Sequence, residues 1–204
     1  MPFASEDQVN TALKPHFSEF VSLLLGAHED WTKSAFAASM QDPKVRANVI
    51  WNQFLYRAKA AFEGRNGIRV ENMRHWQGVV VGNSFFVRMK KASNKLLSQN
   101  YPTQSALKFN DASVDMFEGI IRLELLYTLD ELGTSIERIV VAQRHKSKIL
   151  WAIDLLDSAE DHGQTVFTLP LAPNGGGTPA ERLIKPKKTV VPLKKKRGTN
   201  DDGS

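Results

Sequence analysis

With 204 residues, of which 42% are hydrophobic and 24% charged, the chain is long enough for one domain with its own core and too apolar to be disordered throughout. It has no cysteine, which excludes disulfides and thiolate metal sites and is typical of a cytoplasmic protein. Its net charge of +5 resides entirely in the segment from Pro173 onward, which has eight cations and three anions, so residues 1–172 are neutral.

The first residues have the pattern of amphipathic helices. Ser5 and Gln8 have the spacing of a capping box, and Pro15 interrupts the helical pattern, which predicts either a kink or two short helices. Gly26 predicts the end of this helical stretch. Apolar residues that recur at intervals of three and four predict its buried face: Val9, Leu13, Phe17, Phe20 and Leu24.

Two more helices are predicted before the pattern changes. A short one covers residues 31–40, and a longer one begins at Asp42 and Pro43, a favourable N-cap and first-turn pair, and ends at Gly64. Apolar residues, including Tyr56, lie on two faces of the longer helix. We therefore expect it to be the most buried helix of the domain.

From residue 68 onward the apolar residues alternate, as they do in strands. Gly82 and Asn83 separate two apolar runs and predict a two-residue hairpin turn, with one more strand before it. A break over residues 92–118 contains a short stretch of helical pattern, ASNKLLSQ. Three further strands then predict an antiparallel meander: residues 121–129, 135–143 and 148–156.

The first strand of this meander has two different faces. Arg122, Glu124 and Thr128 alternate with apolar residues, which predicts one face in the core and one polar face in solvent. Helices first and strands after predict an α+β fold, in which N-terminal helices pack on a mostly antiparallel sheet. The sheet is expected to consist of a hairpin plus a three-stranded meander.

The domain is expected to span residues 1–172, and residues 173–204 are expected to form a flexible basic tail. The stretch APNGGGTP is typical of a linker, and the cations and prolines after it offer almost nothing to bury. The N-terminus lacks the order of a secretory signal, and no apolar run approaches the roughly 20 residues that span a bilayer, so we expect no membrane role.

Motifs of enzymes are mostly absent. The sequence has no phosphate-binding loop, dinucleotide fingerprint, nucleophile elbow or zinc-binding helix, and we expect neither a cofactor nor a metal. Arg144, His145 and Lys146 fall in a predicted hairpin turn, where they are typical of a charged tip. They also fit a small metal-independent nuclease, with His145 or His75 as the proton-transfer group and the cations on the scissile phosphate.

Two regions have the composition of nucleic-acid-binding surfaces. At the end of the predicted hairpin, cations lie close to Phe85 and Phe86, and at most one of these rings can face a bound strand. These cations are Arg88, Lys90, Lys91 and Lys95, to which the charged tip adds Arg144 and Lys146. The second region is the tail, whose cations attract polyanions without reading their sequence. These cations are Lys187, Lys188, Lys194, Lys195, Lys196 and Arg197. The alternative is that the tail serves only for solubility.

The segment YPTQSALKFND, residues 101–111, contains Gln104, Leu107 and Phe109 in the pattern Gln-x-x-Leu-x-Phe. This pattern resembles the peptides through which bacterial polymerases and repair proteins bind the sliding clamp, and the resemblance covers six residues. In an extended, exposed segment Leu107 and Phe109 project to the same side and can enter one apolar groove, with Gln104 at its polar rim. The alternative is that both apolar side chains form the inward face of a short strand.

The leading prediction is a non-enzymatic, cytoplasmic protein-binding module of bacterial or phage origin. The resemblance implies the sliding clamp as its partner and a toxin-like or phage-encoded regulator of DNA replication as its role. The alternative is a nucleic-acid-binding accessory protein that uses its basic tail. A small metal-independent nuclease is the third hypothesis.

Overall fold

The computed structural model describes residues 3–98 and 103–160, with side chains described as far as Asp157. The predicted boundary at residue 172 and the tail beyond it lie outside the described residues. The helices are α1 (Glu6–Leu13), α2 (Phe17–Thr32), α3 (Pro43–Phe62), α4 (Gln104–Asn110) and α5 (Leu155–Glu160). The strands are β1 (Ile68–Met73), β2 (Trp76–Val81), β3 (Phe85–Lys91), β4 (Ile121–Leu129), β5 (Ile136–His145) and β6 (Lys148–Asp154). None of these helices is long and apolar enough to cross a membrane.

The six described strands belong to one sheet, in the order β1-β2-β3-β4-β5-β6. Neighbouring strands are antiparallel except β3 and β4, which run parallel with Phe85 opposite Ile121 and Lys91 opposite Tyr127. The predicted α+β fold, with N-terminal helices on a mostly antiparallel sheet, is confirmed. The parallel pair is not predicted by the sequence pattern. It arises because the connection between β3 and β4 crosses over the sheet instead of turning back.

The start of the chain agrees with the prediction. At the N-cap of α1, Ser5 Oγ accepts from the Gln8 amide at 3.2 Å, and Gln8 Oε1 accepts from the Ser5 amide at 3.1 Å. This reciprocal pair is the predicted capping box, which satisfies two amides that have no partner inside the helix. Pro15 lies in a 3₁₀ turn, Lys14–His16, and separates α1 from α2.

The prediction that Gly26 ends the helix is wrong, because α2 continues to Thr32. A Cβ at Gly26 would lie 2.9 Å from Arg57 Nη1, so the glycine makes room for the side chain of Arg57. Arg57 in turn pairs with Asp30 of α2, with Nη2 2.7 Å from Oδ1. The helix predicted over residues 31–40 is not formed either, since that stretch holds the end of α2 and a short 3₁₀ turn.

One face of the sheet, here called the helix-covered face, packs against α1, α2 and α3. Its core combines alternate side chains of the strands with inward side chains of the helices, such as Val79, Leu125 and Phe54. Burying each large apolar side chain stabilises the fold by roughly 1.5–3 kcal/mol. α3 begins after Asp42 as predicted, but Tyr56 is 72% exposed, so its predicted burial is wrong.

The other face, here called the second face, is covered by α4 and the segments that flank it. Phe109 of α4 packs with Val80, Phe86 and Phe117 in a small apolar cluster. β4 is therefore buried on both faces, and the prediction that Arg122 and its polar neighbours face solvent is wrong. Alternation identified the strand correctly, but it does not reveal what covers the polar side.

The stretch after β3 is not helical, in contrast to the prediction for ASNKLLSQ. The Ser93 amide donates to the Leu97 carbonyl at 3.0 Å, and Ala92 pairs with Ser98 in a single β-bridge. Leu96 has a positive φ of 56°, a backbone conformation that interrupts a helix. Residues 92–98 therefore form a tight loop at the end of β3.

Candidate functional site

The second face of the sheet carries an ion pair between neighbouring strands. Arg88 of β3 and Glu124 of β4 lie opposite each other in the parallel register. Arg88 Nη2 donates to Glu124 Oε1 at 2.6 Å, and the two residues are only 1% and 2% exposed. A hydrogen bond between two charged groups is strong when it is buried, but breaking it leaves a buried charge with neither a partner nor hydration.

Aromatic rings cover the guanidinium of Arg88. Its Cζ lies 3.8 Å from the ring centroid of Phe109 on α4 and 4.6 Å from that of Trp76 on β2. Guanidinium groups are attracted to the negative faces of aromatic rings, more strongly where water is excluded. Arg88 therefore helps to hold α4 against the sheet.

A serine links this ion pair to a second arginine. Ser98 Oγ donates to Glu124 Oε1 at 3.2 Å and accepts from Arg144 Nη1 at 3.1 Å. Lys90, which follows Arg88 by two residues on the same face of β3, is half-buried. Burial and the charge of Arg88 lower the pKa of Lys90, and Glu124 opposes this change. We refer to Arg88, Lys90, Ser98, Glu124 and Arg144 as the Arg88 cluster.

The Arg88 cluster holds more hydrogen-bonding groups than it uses. Arg88 Nε and Nη1 and Glu124 Oε2 are buried and have no partner in the described part of the chain. Burial lowers the pKa of the Arg88 guanidinium and the Glu124 carboxylate opposes this change, but an arginine stays protonated. With three cations and one carboxylate, the cluster has an excess of positive charge.

The segment that resembles a clamp-binding peptide is helical. Thr103 is the N-cap of α4, and its Oγ1 accepts from the Ala106 amide at 3.1 Å. Residues two positions apart on a helix project about 200° apart, so Leu107 and Phe109 face different sides. Leu107 is 49% exposed and Gln104 is also exposed, whereas Phe109 is only 3% exposed. Both the predicted extended geometry and the alternative of a short strand are wrong.

The two histidines of the nuclease hypothesis lie far apart. His145 ends β5 and lies beside Asp111, with Nδ1 3.6 Å from Oδ1, whereas His75 is exposed in the turn between β1 and β2. The strands β3 and β4 separate them, about 14 Å at the usual strand spacing, so the imidazoles do not form one site. Lys146 Nζ lies 3.7 Å from Asp111 Oδ2, which is typical of a charged turn. Residues 3–98 and 103–157 contain no group of three His, Asp or Glu side chains that could hold a metal ion.

The fold divides the cations that were predicted to bind nucleic acid. Arg88 is buried, Lys90 and Arg144 lie with it in the Arg88 cluster, and Lys95 is exposed. Lys91 points to the helix-covered face, because neighbouring residues of a strand alternate between faces. The tail cations of the prediction lie outside the described residues: Lys187, Lys188, Lys194, Lys195, Lys196 and Arg197.

Neither phenylalanine of the predicted stacking surface faces solvent. Phe85 is 8% exposed and packs on the helix-covered face, and Phe86 is 0% exposed and packs against Phe109. The ring contacts expected with bases are therefore made within the protein. Sequence reasoning missed the pair of Arg88 and Glu124, because these residues are 36 positions apart and only the parallel register brings them together.

Comparison with protein-family models, curated proteins and solved structures gives no match. The function is therefore inferred from the residues of the chain itself. The Arg88 cluster combines buried charges, unused hydrogen-bonding atoms and an excess of positive charge. Because the unused atoms are buried, it is the positive charge of the partly exposed Lys90 and Arg144 that suits an anionic partner.

Proposed function

We propose that this protein binds nucleic acid through its phosphates, at the cations on and around the Arg88 cluster. The observation that supports the proposal is the excess of positive charge there. Glu124, the one carboxylate of the cluster, is already bonded to Arg88 and Ser98. Lys90 and Arg144 take part in none of the ion pairs between described residues. A phosphate can supply the negative charge that they lack.

Three exposed lysines lie within four residues of Ser98 or Arg144 in the chain: Lys95, Lys146 and Lys148. We call these lysines, with Lys90 and Arg144, the basic margin. Lys146 is 64% exposed and lies 3.7 Å from Asp111, in an ion pair that solvent largely screens. Arg144 is held by its bond to Ser98, and its Nε donates to the Lys146 carbonyl, so it loses little side-chain entropy on binding.

The proposed contacts are with the phosphate backbone and not with bases. Phe85 and Phe86, the rings expected to stack on bases, are buried. Lysine and arginine contacts to phosphates carry no sequence information, and they release counterions, so affinity falls steeply with salt. We therefore expect binding that is similar for different sequences and strongly dependent on salt concentration.

The sliding-clamp hypothesis receives less support from the geometry. Phe109 contacts Arg88 and Trp76 beneath α4, and taking it out for docking costs roughly 3–5 kcal/mol, the usual loss for a buried phenylalanine. Gln104 and Leu107 stay accessible, so docking remains a prediction, but one that the fold disfavours. The nuclease also remains a prediction, although the fold does not bring His75 to His145.

The proposal is tested by fluorescence anisotropy with labelled single-stranded and duplex oligonucleotides over a series of NaCl concentrations. The test variant combines Arg144→Gln with Lys146→Gln and so removes two cations of the basic margin. We expect the slope of log affinity against log salt to become less negative by roughly 2, about 0.9 for each lost phosphate contact. The matched control combines Lys44→Gln with Lys59→Gln, two exposed lysines of α3, and should leave the slope unchanged.

A further variant separates the domain from the tail by replacing four tail cations with glutamine: Lys194, Lys195, Lys196 and Arg197. It should weaken binding without altering the effect of the changes at Arg144 and Lys146. The proposal fails if the wild-type protein binds neither oligonucleotide at low salt. It also fails if the basic-margin variant and the α3 variant lower the affinity equally, since only total charge would then matter.

A further inference from the structure

A cavity of about 280 Å³ opens at the edge of the sheet where the parallel strands β3 and β4 end. Lys91, the last residue of β3, and Arg46 of α3 line this cavity, together with residues 92–94 and 129–133. Parallel strands present their carboxyl ends at the same edge, and ligands of open sheets bind in crevices at such edges. The cavity therefore occupies a favourable position for a ligand site.

Two cations line this cavity, and neither forms an ion pair with a carboxylate among the described residues. Arg46 Nη1 donates to the Gly133 carbonyl at 2.8 Å, while Arg46 Nε is buried and has no partner among residues 3–98 and 103–157. Lys91 is half-buried and belongs to none of the ion pairs that the described side chains form. Burial lowers the pKa of Lys91, and the nearby charge of Arg46 lowers it further, as expected for two cations that lie close together.

Two more buried polar groups lie close enough to Arg46 for its charge to change their pKa values. His28 Nε2 on α2 and the Tyr127 hydroxyl on β4 each have no hydrogen-bond partner in the part of the chain that the structure describes. Burial lowers the pKa of His28 and raises that of Tyr127, and the charge of Arg46 acts on both groups. Neither group lines the cavity, so the charge of Arg46 is left without compensation from the core behind it, and an anion in the cavity would compensate it.

The acidic residues at the rim serve the turn between β4 and β5. Asp130 Oδ2 accepts from the Thr134 hydroxyl at 2.7 Å, and Oδ1 accepts from the Ser135 amide at 3.2 Å. These bonds lower the pKa of Asp130 to about 2. Glu131 is exposed. Asp130 therefore stays ionised, but its oxygens are used by the turn, and neither carboxylate forms an ion pair with Arg46 or Lys91 in the described part of the chain.

We propose that this cavity binds a compact oxyanion, a phosphate or carboxylate group, between Arg46 and Lys91. Its volume equals that of about nine water molecules at roughly 30 Å³ each, enough for such a group with a small organic part. The site is separate from the proposed nucleic-acid surface, because Lys90 and Lys91 project from opposite faces of β3.

The test is isothermal titration calorimetry of the full chain with sodium phosphate, sodium acetate and sodium chloride at constant ionic strength. We expect saturable binding of phosphate, acetate or both, and none of chloride. Binding of phosphate alone assigns the site to phosphate groups, and binding of acetate alone assigns it to carboxylates. The proposal is overturned if neither oxyanion binds saturably, or if chloride binds equally well.

Lys91→Gln is the test variant, and Lys59→Gln, at an exposed position of α3, is its control. We expect Lys91→Gln to weaken oxyanion binding by about tenfold or more, the loss of one charged hydrogen bond. Lys59→Gln should leave oxyanion binding unchanged, since Lys59 lines neither this cavity nor the surface proposed to bind phosphates. Equal oxyanion binding by Lys91→Gln and the wild type overturns the proposal.

Arg46→Lys provides a second variant, which keeps the positive charge but loses the guanidinium fork. We expect it to weaken oxyanion binding, because a lysine cannot donate two parallel bonds to one oxyanion. Arg46 also bonds the Gly133 carbonyl, so thermal unfolding of this variant is measured beside that of the wild type. Unchanged binding by a folded Arg46→Lys variant excludes the guanidinium from the site and overturns its proposed role.

Discussion

Both faces of the sheet are buried at β3 and β4, but different interactions cover them. Toward α1, α2 and α3, the strands β3 and β4 present apolar side chains such as Val87 and Leu125. On the second face the same strands present charges, Arg88 and Glu124 among them. Apolar packing has no direction and tolerates replacements of similar volume, whereas a buried charge requires its particular partner. The second face should therefore be the less tolerant of substitution.

Arg122 shows how the second face holds its cover in place. From β4 its guanidinium donates to the carbonyls of Lys108 at 2.9 Å, Asp111 at 2.7 Å and Val114 at 2.7 Å. These carbonyls belong to the end of α4 and the segment after it, where the regular hydrogen bonds of the helix have ended. One buried side chain of the sheet thus fixes the position of the crossover connection by directional bonds.

The largest expected effect tests the charged face directly. Glu124→Ala leaves Arg88 buried without its carboxylate, and we expect a loss of about 3–5 kcal/mol in the free energy of unfolding, measured by urea denaturation. The double variant Arg88→Met with Glu124→Leu removes both charges and should lose less than Glu124→Ala alone. If the double variant were as unstable as the single one, charge pairing would not be what distinguishes the second face.

A smaller effect separates ring contacts from simple burial. Phe109→Leu keeps an apolar side chain but loses the ring that covers Arg88. The matched control is Phe54→Leu on the helix-covered face, where Phe54 is 1% exposed. We expect Phe109→Leu to cost about 1–2 kcal/mol more of unfolding free energy than Phe54→Leu, from lost cation–π and ring–ring contacts. If both variants lost the same free energy of unfolding, ring contacts would not distinguish the second face from the helix-covered face.

A titratable group near the helix-covered face gives a third, pH-dependent effect. His28 is 8% exposed. Burial and the charge of Arg46 lower the pKa of its imidazole from the usual 6.5, and the charge of Asp130 opposes this change. As the pH falls through about 6.5, the unfolded chain takes up a proton at this site before the folded chain does. The folded state therefore loses stability below this pH, by at most about 1.4 kcal/mol per pH unit from this group.

This pH dependence is checked by urea denaturation between about pH 7 and pH 5, the range below the unfolded pKa of histidine. His28→Gln should flatten the curve, while His75→Gln, at an exposed turn, should leave it as in the wild type. Carboxylates with a lowered pKa, such as Glu19, lose their contribution only at lower pH. A wild-type stability that is constant over this range would contradict the prediction for His28.

The elements that could be predicted from the sequence are those whose pattern is local. The capping box at Ser5, the start of α3 at Asp42 and the hairpin at Gly82 each depend on residues a few positions apart, and the structure confirms them. The predicted two-residue turn is wrong, because three residues, 82–84, separate the paired Val81 and Phe85. α4 is different, because its buried residue Phe109 has a partner only when the segment lies on the sheet. The connection over residues 92–120 was for that reason the least predictable part of the fold.

The candidate site could be predicted only in part. Its cations were expected to meet an anion, but Glu124 was expected in solvent, since alternation cannot distinguish a polar face in water from one that a helix covers. Arg88 and Glu124 are paired by a parallel register that no local pattern indicates. The cavity between Arg46 and Lys91 likewise joins α3 to the end of β3, and it becomes visible only in three dimensions.

The smallest expected effect concerns Leu107, which shares α4 with Phe109 but is 49% exposed. Leu107→Ala should change the free energy of unfolding by no more than about 0.5 kcal/mol in urea denaturation, because an exposed side chain loses little burial. The variant therefore tests docking to another protein without unfolding the domain. A substitution of Phe109 cannot do this, since it disturbs the cover of Arg88 at the same time.

Because Phe109 is held beneath α4, we expect an immobilised bacterial sliding clamp not to retain the wild-type chain in a pulldown. Retention of the wild type that is lost in Leu107→Ala, at unchanged stability, would contradict this expectation. It would show that α4 docks through its exposed side while Phe109 stays in place. The functional surface would then lie on the cover of the second face, and the charges beneath it would serve to position that cover.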